Sequence, residues 1–248
     1  MTSTTDFDDY AESYDAALSS ALGSSGEHKS YFARGRVAWL ADCLRQMDEA
    51  ARAVMDFGCG TGSTTPLILE LIGAETAVGV DVSLRSLEVA QKNHGLGRNR
   101  FLPMSEYTPN ESLDLVYCNG VFHHIRPEGR GKVLEFIYAS LRPGGLFSFW
   151  ENNPWNPGTR YVMAHCAFDA EAITLPPPQA KWLLRAGGFE ILRTDFLFIF
   201  PRMLKWLRGI EKRVAKLPLG AQYQVLCRKS IKPGAVGDPR PAARVPAK

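Results

Sequence analysis

Three glycines, Gly58, Gly60 and Gly62, stand at alternate positions in Val54-Met55-Asp56-Phe57-Gly58-Cys59-Gly60-Thr61-Gly62, directly after a short apolar run. A glycine turn between a buried strand and a helix lets backbone approach a ligand with no side chain intervening, and aims free N–H groups at it. Spacing separates the ligand classes. A dinucleotide loop, G-x-G-x-x-G, would place a third glycine where this chain has Ser63. A P-loop needs Gly-Lys-Ser/Thr, and no lysine lies between Ala53 and Lys92. Asp81 follows 19 residues beyond Gly62, at the end of a second apolar run, where an acid accepts both hydroxyls of an adenosine ribose and repels a ribose phosphate. Asp56 puts a carboxylate where a pyrophosphate would otherwise sit. It therefore either suits a ligand with positive charge, such as a sulfonium or an amino group, or caps the amides of its own loop.

Proton chemistry has three histidine candidates, His123, His124 and His165. His123 and His124 either face an acceptor as a base or pack beneath their loop. Glu151 opens Glu151-Asn152-Asn153-Pro154-Trp155-Asn156-Pro157, at the strand edge where open α/β sheets hold ligands, and is the third candidate catalytic residue after His124 and His123. The amides and indole beyond it either read a hydroxylated acceptor or build a rigid turn. No cluster of carboxylates and histidines in the sequence suggests a metal.

Such residues need a scaffold, and the chain alternates short apolar runs with amphipathic ones from residue 53 to about residue 151. Strands are expected at Ala53–Phe57, Thr76–Val82, Phe101–Met104, Leu113–Cys118, Leu146–Glu151, Phe189–Phe196 and Gln222–Arg228. Helices are expected at Ser63–Ile72, Leu84–Lys92, Gly131–Leu141 and Gln179–Ala186. Ala77-Val78-Gly79-Val80 is apolar on both faces, as for parallel strands covered on each side. The expected fold is α/β: a Rossmann-like, doubly wound, seven-stranded, mostly parallel sheet, its last strand inserted antiparallel at an edge. Residues 1–45 carry aromatic and apolar positions at helical spacing, interrupted by Gly23-Ser24-Ser25-Gly26, and are expected as an N-terminal helical lid.

The 248 residues suffice for one domain with a sizeable core, and 45% hydrophobic with 22% charged residues describes a folded, water-soluble chain. Net charge is +3, but residues 229–248 hold five cations against Asp238, so the basicity belongs to a tail expected to be disordered and is weak evidence for nucleic acid. Five scattered cysteines without a CxxC pair fit a reducing cytoplasm. The acidic N-terminus is unlike a signal peptide, and no run of 18 apolar residues occurs.

Val54 to Gly62 resembles the first motif of class I S-adenosylmethionine-dependent methyltransferases, and Gly79-Val80-Asp81-Val82-Ser83 resembles their second. Leu113 to Ile125 is similar to the fourth-strand segment, and Leu141-Arg142-Pro143-Gly144-Gly145-Leu146 to the turn entering the fifth strand. In order and at family-like distances, the four motifs cover residues 53–151. The resemblance implies S-adenosyl-L-methionine as cofactor, contacted by Tyr14, Asp56, Gly58, Gly60, Asp81, Val82, Ser105 and Asn119, with Tyr14 capping its methionine end. The chain departs from the family at the adenine contact, where many members carry an acid. Here Phe101-Leu102-Pro103-Met104-Ser105-Glu106 offers Ser105 or Glu106 instead.

The implied activity is methyl transfer to oxygen or nitrogen of a small-molecule, lipid-type or sugar-type acceptor, with no nucleic-acid partner. The alternative is a non-catalytic S-adenosylmethionine-binding assembly or regulatory protein. Residues 197–218 form an unusual insertion within the methyltransferase domain, residues 46–228. Met203, Leu207, Ile210, Val214 and Leu217 make one apolar stripe, and Arg202, Lys205, Arg208, Lys212, Arg213 and Lys216 surround it. Such a helix either docks on the sheet with a solvated basic face, or lies on an anionic membrane surface and gives the protein a peripheral membrane contact.

Overall fold

The structure is a computed structural model that describes residues 26–166, 169 and 171–230. Short apolar runs become strands and the amphipathic segments between them become helices. Helix α1 is Lys29–Gln46, followed by β1 (Ala53–Phe57), α2 (Thr65–Ile72), β2 (Thr76–Asp81), α3 (Leu84–His94) and β3 (Asn99–Pro103). Then come β4 (Leu113–Asn119), α4 (Pro127–Ser140), β5 (Leu141–Asn152), α5 (Pro157–Ala164), α6 (Pro177–Ala186) and β6 (Phe189–Leu197). A 3₁₀ segment (Arg202–Ile210), a single turn α7 (Glu211–Val214) and β7 (Gln222–Lys229) complete the chain.

The seven strands form one sheet in the order β3-β2-β1-β4-β5-β7-β6. β1 to β5 are parallel, and β7 runs antiparallel to both β5 and β6. This is the Rossmann-like sheet expected, with one correction: β7 is antiparallel but lies inside the sheet, and β6 is the edge. The turn into β7 is tight enough to allow this, since a Cβ on Gly220 would stand 2.4 Å from the backbone of Leu197. The chain thus re-enters between β5 and β6.

Two cores cover the sheet's faces. One gathers Phe122, Leu134, Ile137, Ala180 and Leu184 from the α4 and α6 side, and the other gathers Val37, Leu40, Cys43, Leu44 and Ile68 from α1 and α2. Residues 29–46 are therefore a layer of the fold itself, buried by the hydrophobic effect. The lid expected over residues 1–45 now rests on residues 1–25, which lie outside the described residues. Helix α5 was not expected. Its signal was local: Asn156 caps it by accepting from the Thr159 amide at 2.9 Å, and Pro157 occupies the first turn.

Lys229, assigned to the tail by sequence, is the last residue of β7. Its ammonium donates to the Leu141 carbonyl at 2.8 Å, pairs with Glu111 at 2.6 Å and lies over the Tyr138 ring, so a basic residue is buried by specific partners. The rest of the expected disordered tail, residues 231–248, lies outside the described residues.

The insertion differs most from expectation. Its backbone kinks at Leu204 (φ −108°), so there is no single helix. Its anchors are polar: Glu211 accepts from the Ile199 amide, Arg208 donates to the Phe200 carbonyl and pairs with Glu27, and the Ala215 carbonyl accepts from Phe196. With the anchors pointing inward, much of the apolar stripe faces water: Met203 is 84% exposed, and Ile210 and Leu217 are exposed with it. The expectation of a basic face in solvent over an apolar face on the sheet is corrected accordingly. No helix among the described residues is long and apolar enough to cross a membrane.

Candidate cofactor and acceptor site

The parallel strands all end on one edge, and the glycine loop turns there. The Gly58 and Cys59 amides donate to the Val80 carbonyl, drawing the loop onto β2. Asp81 braces it from the other side: one carboxylate oxygen accepts from the Gly60 amide at 2.8 Å, the other from the Ser83 amide at 2.9 Å. Gly58 and Gly60 have φ of +69° and +52°, a region that L side chains avoid. They differ in their surroundings. A Cβ on Gly58 would stand 2.3 Å from Cγ2 of Val121, whereas a Cβ on Gly60 would meet nothing within 4 Å.

Gly58→Ala is therefore expected to destabilise the fold by about 2–4 kcal/mol, combining left-handed strain with overpacking. Gly60→Ala should cost only about 1–2 kcal/mol of stability yet obstruct the open face of the loop. Thermal denaturation of the two variants, with S-adenosylhomocysteine titrated into each, checks the contrast.

Asp56 is 3% exposed and turned under the loop, where it accepts from the Thr65 hydroxyl at 2.7 Å. Burial, with a smaller contribution from Asp81, pushes its carboxyl up to about 7. Its partner is thus a hydroxyl of the following helix rather than an amide of the glycine loop. Asn119, on the neighbouring strand end, holds a buried side-chain oxygen that accepts no hydrogen bond. An orphaned acceptor of this kind calls for a donor. An open glycine face, a carboxylate at ribose distance along the chain and an orphaned amide oxygen fit a ligand with ribose hydroxyls and an amino group. Val82 and Ser105 are both exposed, Ser105 in a 3₁₀ turn at the end of β3, and neither bonds to the loop. Tyr14 lies outside the described residues.

Sequence reasoning missed Arg36. Helix α1 buries it to 7% exposure, where its Nε donates to the Tyr117 hydroxyl at 3.0 Å and a terminal nitrogen donates to Gln222 at 2.9 Å. Gln222 in turn donates to Asn152, so the network runs across the carboxyl ends of β4 and β5. Among the described residues no carboxylate pairs with this guanidinium. Asp56 acts on it as a Coulombic partner without a direct ion pair, which leaves the guanidinium able to take a ligand carboxylate directly. The available signal was position: Arg36 precedes Leu40 by one helical turn on a face that is otherwise apolar.

His123, His124 and Glu151 do come together, with Asp169 as a fourth member. Glu151 accepts from the Phe122 amide at 2.8 Å and lies 2.5 Å from His123 Nδ1, while Asp169 approaches His123 Nε2 at 3.4 Å and His124 Nε2 at 3.6 Å. Arg130 locks the turn by donating to the Phe122, Ile125 and Ile173 carbonyls. The histidine nitrogens and the Asp169 oxygen lie within 4.8 Å of one another, a grouping hidden in the sequence by the distance of Asp169 along the chain. A protonated His123 between two carboxylates accounts for that geometry by ion pairing. Glu151 is buried beneath the turn, bonded to the Phe122 amide and to His123.

Burial lowers the proton affinity of both histidines, but Glu151 and Asp169 reverse this for His123 and push it up to about 10. His124, beside the His123 cation, falls to about 4. The folded pKa of His123 exceeds its unfolded value, so its stabilisation is complete below about pH 6.5 and is lost as pH rises toward 10. Stability should decline across that window in urea titrations at pH 6, 8 and 9.5, with Asp169→Asn flattening the decline. His165 lies elsewhere, exposed, against the Tyr161 carbonyl and ring. The loop after β5 is a scaffold: the Asn153 amide donates to the Pro218 and Gly220 carbonyls, and the Asn156 amide to that of Leu219.

Fold and site together define a class I, Rossmann-like protein with a loop for an adenosyl ligand. Comparison with known proteins takes this further. The model of a methyltransferase-domain family matches residues 55–147. A trans-aconitate 2-methyltransferase of Azoarcus sp. is 30% identical over 199 residues, 73% of this chain and 77% of that protein. Another, from Rhizobium leguminosarum, is 29% identical over 188 residues, 68% of this chain and 72% of that protein. Among solved structures, a methyltransferase from Archaeoglobus fulgidus matches with a TM-score of 0.54 at 19% identity, covering 78% of this chain and 94% of that one. The chain belongs to the class I S-adenosylmethionine-dependent methyltransferases. It is an enzyme, and S-adenosyl-L-methionine is its cofactor; these matches favour it over a non-catalytic binder.

Proposed function

We propose that the acceptor is a small carboxylate and that the methyl group goes to a carboxylate oxygen. The observation that carries this reading is the placement of the two histidines: His123 is closed between Glu151 and Asp169, and His124 lies against the same Asp169. An alcohol or phenol must lose a proton, and a base works best when its pKa lies near the operating pH. His123, at about 10, already holds its proton, and His124, at about 4, is too weak a base. A carboxylate, ionised above about pH 4, needs no base.

When bound, the cofactor supplies a methyl group on an excellent leaving group. The residues of this chain are left to position the acceptor and exclude water. Arg36 supports the reading as a buried cation able to hold a carboxylate, of the acceptor or of the methionine moiety. The relatives named trans-aconitate 2-methyltransferase make that tricarboxylate the first acceptor to try. The test is a panel of small di- and tricarboxylates, phenols, alcohols and amines, assayed with labelled cofactor at pH 7. The expected result is transfer to a carboxylate, with a rate nearly independent of pH between 6 and 9. Transfer to a phenol or amine alone, with a rate rising tenfold per pH unit, would overturn it.

A further inference from the structure

We propose that residues 202–217 are the docking face for residues 1–22 of the same chain, an intramolecular strap held by opposite charge around an apolar seam. The face is built for an occupant. Met203 and Trp206 are 84% and 74% exposed, and Leu204, Ile210 and Leu217 are exposed beside them. Contiguous large apolar side chains rimmed by charge mark an interaction surface. The polar anchors beneath hold the segment in this orientation, so the exposure is fixed by the fold. Three of its cations are taken by acids of the domain: Arg208 by Glu27, Lys212 by Asp42 and Lys216 by Asp195. Arg202, Lys205 and Arg213 pair with no carboxylate among the described residues.

The occupant is identified by charge and by where the chain leads. Residues 1–25 contain Asp6, Asp8, Asp9, Glu12 and Asp15 and no lysine or arginine. Phe7, Tyr10, Tyr14, Leu18 and Leu22 are spaced 3, 4, 4 and 4 apart, one apolar stripe at helical period. The described chain begins beside the face: Arg202 donates to the Gly26 carbonyl at 3.2 Å, and Glu27 pairs with Arg208 at 2.9 Å. Gly26 itself, with φ of +72°, would place a Cβ 3.1 Å from that of Arg202. The acidic stripe is thus tethered at the edge of a basic, apolar surface. Tethering raises its effective concentration far above that of a free partner.

Hydrogen exchange of the full chain tests this, with Lys205→Glu/Arg213→Glu, Asp8→Lys/Asp9→Lys and the four substitutions combined. Residues 1–22 should exchange more slowly than free peptide. Each charge reversal should speed their exchange about five- to tenfold without altering β1 to β5, and the combination should restore protection. Free-peptide exchange in the unmodified chain, or protection indifferent to both reversals, would overturn the proposal. Carbodiimide cross-linking of mixed ¹⁴N and ¹⁵N chains supplies the second arm. Links from Asp8 or Asp9 to Lys205 within one isotope support the strap. Mixed-isotope links would assign the face to a second copy, and protection of 202–217 only on phosphatidylglycerol vesicles would assign it to lipid; either result overturns the proposal.

Discussion

Asp81→Ala should weaken binding of S-adenosylhomocysteine by about 100-fold, roughly 2.7 kcal/mol. Two losses combine. A carboxylate that would accept from ribose hydroxyls disappears, and hydrogen bonds to a charged group contribute about 1.5–3 kcal/mol. The Gly60 amide also loses its 2.8 Å acceptor, so the loop is no longer drawn toward β2 from that side. Asp81 is only half-buried and belongs to neither core, so the melting temperature of the cofactor-free protein should change by no more than about 3 °C. Asp81→Asn keeps one acceptor oxygen and should lose about tenfold. Isothermal titration of the three proteins measures this. Unchanged affinity in the alanine variant would place ribose recognition elsewhere.

Glu151→Ala should be the most destabilising single change at the site, by about 3–5 kcal/mol, because it strands the His123 imidazolium without its 2.5 Å partner in a buried position. For a chain of this length that corresponds to a fall in melting temperature of about 10 °C. The cost should depend on pH. At pH 6 the stabilisation of a protonated His123 is fully present in the native protein and largely lost in the variant, which keeps only Asp169 at 3.4 Å. At pH 9 the native protein has already lost most of it, so the difference between the two should shrink. Glu151→Gln, which still accepts from the Phe122 amide, should fall between them. Because Val121, directly before the turn at Phe122 to His124, lies against Gly58 of the glycine loop, the variant should raise the acceptor KM and weaken cofactor binding together.

The sequence carried the sheet and the cofactor loop because both depend on local pattern. Apolar runs of strand length, glycines at alternate positions and an acid at the next strand's end have physical meanings that hold without tertiary context. The antiparallel direction of β7 was legible in its short approach, but not its place between β5 and β6, which depends on which gap the sheet leaves open. The pairings of Arg36 and Asp169 escaped because their partners, Tyr117 and His123, are distant along the chain. The insertion was misread for a related reason. Periodicity drew one stripe along a single helix, whereas the backbone kinks at Leu204, and the bonds of Glu211 and Arg208 to Ile199 and Phe200 hold the segment so that Met203, Ile210 and Leu217 are exposed.

Methyl transfer from S-adenosylmethionine to a carboxylate oxygen leaves a distinctive product, a methyl ester. With methyl-labelled cofactor and trans-aconitate, the expected product is one that mild alkali converts back to the acid with release of labelled methanol. Label that survives the same alkali treatment, in an ether or an amine formed from another acceptor in the panel, would contradict transfer to a carboxylate oxygen.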